Sequence, residues 1–298
     1  MKTLPMMQVD AFTSKAYGGN PCAVIFEADE LSTEAMQTIA REMNLSETAF
    51  VLRSGVADVR ARYFTPAFEI PLAGHPTIAT IYALLKTGRL PVPTDQFTIQ
   101  LQLEAGIIPI EVSEAKSERS LVTMSQKTPQ FLQRYDPDMI MPIFGLTSAD
   151  LLSGATIQTV STGTPQLMVP LQSLESLKRV RFNVSRYEAI HADCDFFSPH
   201  LFVLQGISER GTTFARHFGL PPDTFEDPFT GSATGGMAAY LWRTGLLSEP
   251  SFIAEQGHWM HRPGEAQVEV VGSREDIKTV KVGGYAVEVL QGELIPPR

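Results

Sequence analysis

The chain is short of cysteine: Cys22 and Cys194 are the only two in 298 residues. They form no C-x-x-C pair, and two thiols make no disulfide framework. Both are expected to be free, in a reducing compartment. The chain also lacks any apolar run of about 18 residues, the length a membrane-spanning helix needs. Its opening segment, MKTLPMMQVDAF, has no signal-peptide core, so a cytoplasmic protein is expected. Positive charge is scarce as well. With 24 Lys and Arg against 33 Asp and Glu, the net charge is −9. That argues against a basic face of the kind by which nucleic acid or an anionic membrane is held. It leaves room for a small anionic ligand, because backbone N–H groups override net charge locally.

Catalytic signatures are missing too. There is no G-x-S-x-G elbow, no Walker loop and no dinucleotide fingerprint. His191, Asp193, Cys194, Asp195 and His200 crowd together but match no zinc spacing. Chemistry without a metal or a cofactor is therefore expected.

What the chain does contain is a degenerate copy of itself. EIPLAGHPTIATIYALLKTGRL, from Glu69 to Leu90, matches EDPFTGSATGGMAAYLWRTGLL, from Glu226 to Leu247, at eight of 22 positions. Upstream, Ala61-Arg62-Tyr63-Phe64 matches Ala215-Arg216-His217-Phe218, and Gly19-Asn20-Pro21 resembles Gly163-Thr164-Pro165. The three pairs keep the same order. Two like lobes follow, with function to be sought where one differs from the other. A chain of this length holds two domains of about 150 residues, each with its own core. The polar stretch 113–120 is the best linker, giving lobes at 1–117 and 118–298.

Local pattern fills in the lobes. Thr33 to Met43 has amphipathic helical spacing, with Ser32 as N-cap. Segments 6–12, 23–26, 49–52 and 59–64 read as strands, and 97–103 with 107–112 as a hairpin. In the second half, strands are expected at 167–169, 200–204, 267–271 and 286–290. Thr77 to Lys86 and its copy, Thr234 to Arg243, are apolar nearly all round, as buried helices are. Each lobe is thus expected to wrap a sheet around one central helix.

The duplicated turn is the first candidate site. Gly74 and Gly231 precede the two buried helices, whose unpaired first N–H groups and dipoles favour an anion such as a carboxylate. Two such termini face to face would hold a small acid. Packing alone is the simpler account of these glycines, but two matched copies favour a ligand. Between the copies, Ile70 aligns with Asp227, Ala73 with Thr230 and His75 with Ser232. His75, Asp227 and Ser232 are groups that exchange protons or hydrogen bonds, and histidine titrates near neutral pH. Glu47, at the entry to an apolar strand in NLSETAFV, is a candidate general acid/base, although a surface glutamate is the commoner case.

These residues resemble the PhzF family of phenazine-biosynthesis-like proteins. The resemblance rests on Gly19-Asn20-Pro21, NLSETAFV (44–51), AGHPTIA (73–79), EDPFTGSA (226–233), Gln256-Gly257, Arg262-Pro263 and Gly283-Gly284-Tyr285, and spans almost the whole chain. It implies an α+β fold of two pseudo-symmetric, diaminopimelate epimerase-like lobes, each a mixed sheet curled around a central helix, with the active site between them. The tail after about residue 285 often returns to the first lobe in that fold. The resemblance also implies a homodimer. It implies that Glu47 moves a proton, as in isomerisation of trans-2,3-dihydro-3-hydroxyanthranilate, with His75, Asp227 and Ser232 assisting. Asn20, Gly74 and Gly231 are expected to bind the substrate.

Racemases of this fold place paired cysteines just before the turn glycines. Here those positions hold Ala73 and Thr230, which disfavours two-thiol chemistry. Thr234, where relatives often have histidine, and His261-Arg262-Pro263-Gly264, in place of the usual Gly-Arg-Pro-Ser, depart from the family near the expected substrate. The expectation is a cofactor-independent isomerase of a small carboxylate-bearing metabolite. A lyase or hydratase of a small amino or hydroxy acid, and a non-catalytic small-acid binder, are the alternatives.

Overall fold

Alternating apolar runs broken by glycine turns build strands, and the two apolar repeats build the helices those strands surround. The structure, a computed structural model, describes residues 3–117, 119–220 and 225–297. The first half contains β1 (Leu4–Ala11), β2 (Asn20–Ile25), α1 (Thr33–Met43), β3 (Glu47–Leu52), β4 (Val59–Phe64), β5 (Glu69–Ile70), α2 (Gly74–Lys86), β6 (Phe97–Leu103), β7 (Gly106–Ser113) and β8 (Leu121–Ser125). The second contains β9 (Gln130–Tyr135), α3 (Pro137–Ile140), β10 (Ile157–Ser161), β11 (Pro165–Pro170), α4 (Leu174–Arg179), α5 (Val184–His191), β12 (Ser198–Val203) and β13 (Thr213–Phe218). It continues through β14 (Glu226–Asp227), α6 (Gly231–Thr244), β15 (Ser251–Gln256), β16 (Gly264–Gly272), β17 (Ile277–Gly284) and β18 (Ala286–Leu294).

Helix α1 has the bounds its pattern predicts, and the Ser32 hydroxyl accepts from the Ala35 N–H at 3.2 Å. The central helices begin three residues earlier than expected, at Gly74 and Gly231. The reason is physical. A proline in the first helical turn forfeits no hydrogen bond, so Pro76 does not block the start.

Among the described residues, the 18 strands belong to one mixed sheet. Its path is β18–β1–β2–β3–β4–β6–β7–β8, then β17–β16–β15–β13–β12–β11–β10–β9, with β5 on β4 and β14 on β13. The path reads alike from either end. Parallel pairs recur at matching places, β2–β3 and β4–β6 in one arm, β11–β12 and β13–β15 in the other. β7 and β8 are neighbours in sequence and pair antiparallel, Ser113 with Leu121. The expected boundary after residue 117 falls between these two strands, and residue 118 lies outside the described residues. The last strand, β18, pairs antiparallel with β1.

Within this frame α2 packs on β1, β2, β3, β8 and β18, and α6 on β10, β11, β16 and β17. One apolar core encloses both, from Ile78, Ile81 and Leu84 to Met237 and Tyr240. Phe12 and Phe229 stack between the halves at 4.2 Å.

The duplication also preserved a staple. Arg62 forks onto Glu69 with both bonds at 2.6 Å, and Arg216 onto Glu226 with both at 2.7 Å. Each pair ties the strand of the A-R-x-F motif to the short strand ahead of its glycine turn. Bidentate guanidinium–carboxylate geometry fixes orientation as well as distance. The two glycine turns are thus presented on matched, rigid hairpins.

Candidate active site

The N-termini of α2 and α6 meet. A Cβ built on Gly74 would lie 3.4 Å from the Gly231 Cα, so the two backbones touch at this point. Neither helix has a side-chain cap at its start: Ala73 cannot supply one, and Thr230 makes no cap bond. First-turn N–H groups of both helices are therefore left to other partners. The two glycines differ in what they permit. A Cβ on Gly231 would come within 2.9 Å of the Phe12 ring, so packing demands glycine there; on Gly74 it would meet only ordinary contacts.

Glu47 opens β3, and His75 is the second residue of α2. Their Oε2 and Nε2 atoms are 3.1 Å apart. That contact is out of line for a hydrogen bond, and the Pro21 backbone partly offsets the effect of burial on the ring. On the far side of the ring, Nδ1 lies 3.1 Å from the amide nitrogen of Asn20. An amide nitrogen can only donate, so Nδ1 accepts and the ring proton sits on Nε2, facing Glu47. His75 is 4% exposed, and burial pushes its pKa down to about 3. This corrects the expectation of a histidine titrating near neutrality. Desolvation disfavours the imidazolium, and His75 is a neutral N–H donor at pH 7.

Asn20 joins the halves. Its amide nitrogen has two hydrogens for three acceptors: it donates to Asp227 Oδ1 at 2.8 Å and to the Phe229 carbonyl at 2.9 Å, and His75 Nδ1 shares one of them. Asp227 Oδ1 accepts from Ser46 Oγ at 3.0 Å, and Oδ2 accepts a short hydrogen bond from Thr230 Oγ1. Burial raises the Asp227 pKa to about 6, against the lowering effect of those three donors. Ser232 is half-buried in the first turn of α6, where its carbonyl lies 3.4 Å from Thr162 Oγ1.

Glu47, His75, Asn20 and Asp227 thus form one connected group beside Gly74 and Gly231, with Ser232 on the adjoining turn. Sequence reasoning missed Ser46 and the contribution of Thr230. Ser46 directly precedes Glu47, and Thr230 replaces the alanine of the first copy; those were the available signals. The acidic cluster at 191–200 does not converge. His191 bonds the Phe196 carbonyl, Asp195 takes Tyr135 and Thr159, and His200 faces His217. Among the described residues no group of His, Cys, Asp or Glu is arranged to hold a metal ion, and no helix is long and apolar enough to cross a membrane.

The repeat shows how one-sided the site is. Register pairs Cys22 with Glu47 and, in the second half, Gln166 with Ser198. The counterpart of Glu47 is therefore Ser198, whose hydroxyl lies 2.6 Å from Gln166 Oε1 and 2.9 Å from His217 Nε2. The first half thus sets a carboxylate against the second residue of its central helix, where the second half has Ser198; the second half's own carboxylate, Asp227, instead bonds Thr230 ahead of α6.

Fold and site together define a scaffold of two matched halves with one polar group between them. A hydroxyproline epimerase from Agrobacterium vitis shares the fold, with TM-score 0.66 at 11% identity over 98% of this chain and 92% of that one. The chain belongs to the PhzC–PhzF family, phenazine biosynthesis-like proteins, whose pattern matches residues 9–292. It is 35% identical to the uncharacterized isomerase YfhB of Bacillus subtilis, over 96% of this chain and 97% of the relative. It is 32% identical to the trans-2,3-dihydro-3-hydroxyanthranilate isomerase of Pseudomonas aeruginosa, over 95% and 96%. A PhzF-family phenazine biosynthesis protein from Bacillus anthracis superposes with TM-score 0.90 at 33% identity, covering 99% of this chain and all of that one. This chain is an isomerase of the same family.

Proposed function

We propose that the chain isomerises a small carboxylate-bearing metabolite by moving a proton between two carbons without a cofactor, a reaction similar to that of trans-2,3-dihydro-3-hydroxyanthranilate isomerase. The observation that carries this reading is the placement of Glu47 against the N–H face of a neutral His75, where two uncapped helix starts meet. The amides of Gly74, His75, Gly231 and Ser232 grip the substrate carboxylate. Glu47 takes a proton from one carbon, and the electron pair left behind delocalises through the substrate. The same carboxyl group then returns the proton to a second carbon. His75 donates its Nε2–H to the charge that develops and, being neutral, does not take the proton itself. Asp227 and Ser46 hold Asn20 and the second-half turn in register. Family resemblance supports a homodimer, which sedimentation would decide.

Proton NMR in deuterated water tests the reading. The protein is incubated with trans-2,3-dihydro-3-hydroxyanthranilate and a panel of small amino and hydroxy acids, beside Glu47→Gln. The expected result is deuterium incorporation or isomerisation by the wild type, absent in the variant. Equal incorporation by both removes Glu47 from the role, and a change in product mass beyond deuterium would move the reaction to a lyase or hydratase.

A further inference from the structure

Arg262 has no place in the chemistry above, yet it lies one residue away from it. It sits in the turn between β15 and β16, in the second half, and reaches the loop that ends at Asn20. Its Nη2 donates to Asp10 Oδ1 and to the Gly18 carbonyl, both at 2.7 Å, and its Nε donates to the Gly19 carbonyl at 2.9 Å. The neighbouring Pro263 carbonyl accepts from the Gly19 N–H at 2.9 Å. Asp10 is 1% exposed, and its other oxygen accepts from the Tyr17 N–H at 2.7 Å. Burial pushes the Asp10 carboxyl up, and Arg262 holds it down.

The loop cannot be held another way. Gly19 has φ +51, and a Cβ there would fall 2.0 Å from the Ala11 carbonyl oxygen. Only glycine fits, and glycine brings the freedom that must then be removed. Two of the three guanidinium bonds go to carbonyls, those of the two residues preceding Asn20, where an ion pair serving stability alone needs only the carboxylate. Asn20 is fully buried, and its single nitrogen lies near three acceptors, Asp227, the Phe229 carbonyl and His75. Small displacements of that nitrogen lengthen one contact or another.

We propose that Arg262 is a positioning residue for the acid–base site: by clamping Gly18 and Gly19 against Asp10, it fixes the Asn20 amide, and through it the proton on His75 and the carboxylate of Asp227. The second half thereby sets the electrostatics of the first. The inference rests on the reading of Asn20, His75 and Asp227 as one site, but its test does not depend on turnover.

The test is NMR of protein labelled at histidine ring nitrogens and aspartate carboxyl carbons, with the Asp227 signal assigned by its loss in Asp227→Asn. The titratable groups closest to this network are Glu47 and His75, so both spectra are followed across pH. Wild type shows His75 as the Nε2–H tautomer. Arg262→Lys keeps one charge and loses the fork. It is expected to move the Asp227 midpoint up by about 1 unit, the worth of one weakened hydrogen bond, and to mix the His75 tautomers. The double variant Asp10→Asn/Arg262→Met removes the pair without stranding a buried charge; it serves if the single variant does not fold, and gives the same shifts. Asn20→Ala reproduces the Asp227 shift, and Arg262→Lys adds nothing to it. Folded variants with a wild-type Asp227 midpoint and a wild-type His75 tautomer overturn the proposal, whatever happens to their melting temperature. A substrate panel that fails to turn over would sink the proposed reaction and leave these spectra unaffected.

Discussion

Replacing Asp227 by asparagine removes a charge from a place where burial opposes it. The native carboxyl has its pKa raised from 3.8 to about 6. The folded state therefore binds a proton more readily than the unfolded chain. Ionisation of Asp227 costs stability above its folded pKa, and the cost fades as pH falls through about 6 toward 3.8. A shift of roughly 2 units is worth about 3 kcal/mol at neutral and higher pH, and about half of that remains near pH 5. Asparagine keeps the shape. One amide oxygen can accept from Asn20 and Ser46, and the amide nitrogen can donate to the Thr230 hydroxyl, which then turns round. Asp227→Asn is therefore expected to gain stability relative to wild type as pH rises, by about 3 kcal/mol between about pH 3.5 and 8. Isothermal chemical denaturation of both proteins at several pH values measures this difference directly. Other titrating groups are common to the two proteins and cancel. A difference independent of pH would refute the reasoning, because the carboxyl would then have the same affinity for protons folded and unfolded. The variant is expected to lose activity on the substrate identified by deuterium exchange, since its more stable amide cannot carry the negative charge beside Asn20.

Two further outcomes follow from the geometry. Gly231→Ala should destabilise by about 1–3 kcal/mol, because its Cβ would meet the Phe12 ring at 2.9 Å, whereas Gly74→Ala should cost less than about 1 kcal/mol; equal losses in thermal denaturation would show that the two turns are packed alike. The buried histidines act oppositely to Asp227: His75 and His217 have pKa values depressed to about 3 and His200 is depressed as well, so the stability they allow is fully present above about pH 6.5 and is lost as pH falls below it. Each unfolded histidine that gains a proton draws roughly 2 kcal/mol by pH 5, and His217→Gln should flatten the acid limb of the wild-type stability curve by about one such share.

Much of this architecture is legible in the residues, and the limits have physical causes. The repeat from Glu69 to Leu90 exposes both central helices, because a helix buried on all sides must be apolar all round. Ser32 marks the start of α1, because a hydroxyl there satisfies an orphan N–H. Short strands such as Glu69–Ile70 and Glu226–Asp227 leave no periodic trace in two residues, though Arg62 and Arg216 clamp them firmly. The pairing of β8 with β17, which joins the two arms, is invisible because strand partners are chosen by tertiary packing. Glu47 and His75 are found by pattern; their contact and the neutral state of His75 are not. Those depend on burial and on the Asn20 amide, which three-dimensional closure alone brings to the ring.

The internal repeat separates what the fold needs from what the chemistry uses. Both halves keep the Arg–Glu staple, the glycine ahead of the central helix, and the order of parallel and antiparallel pairs. A symmetric ligand site would keep its polar groups in duplicate as well. Here they are divided instead. Glu47 is matched by Ser198, His75 by Ser232, Asn20 by Thr164, and Ile70 by Asp227. The first half supplies the carboxylate that adjoins a neutral histidine, and the second supplies the carboxylate that holds Asn20. Neither half contains the set alone, and the hydrogen bonds that unite them, Asn20 to Asp227 and Ser46 to Asp227, cross from one to the other at 2.8 and 3.0 Å. In the proposed reaction, a single acid–base group on one side gives the two faces of a bound molecule unequal chemistry. Such a site suits transfer of a proton along one face, from carbon to carbon, rather than the exchange between opposite faces that paired thiols at positions 73 and 230 would perform.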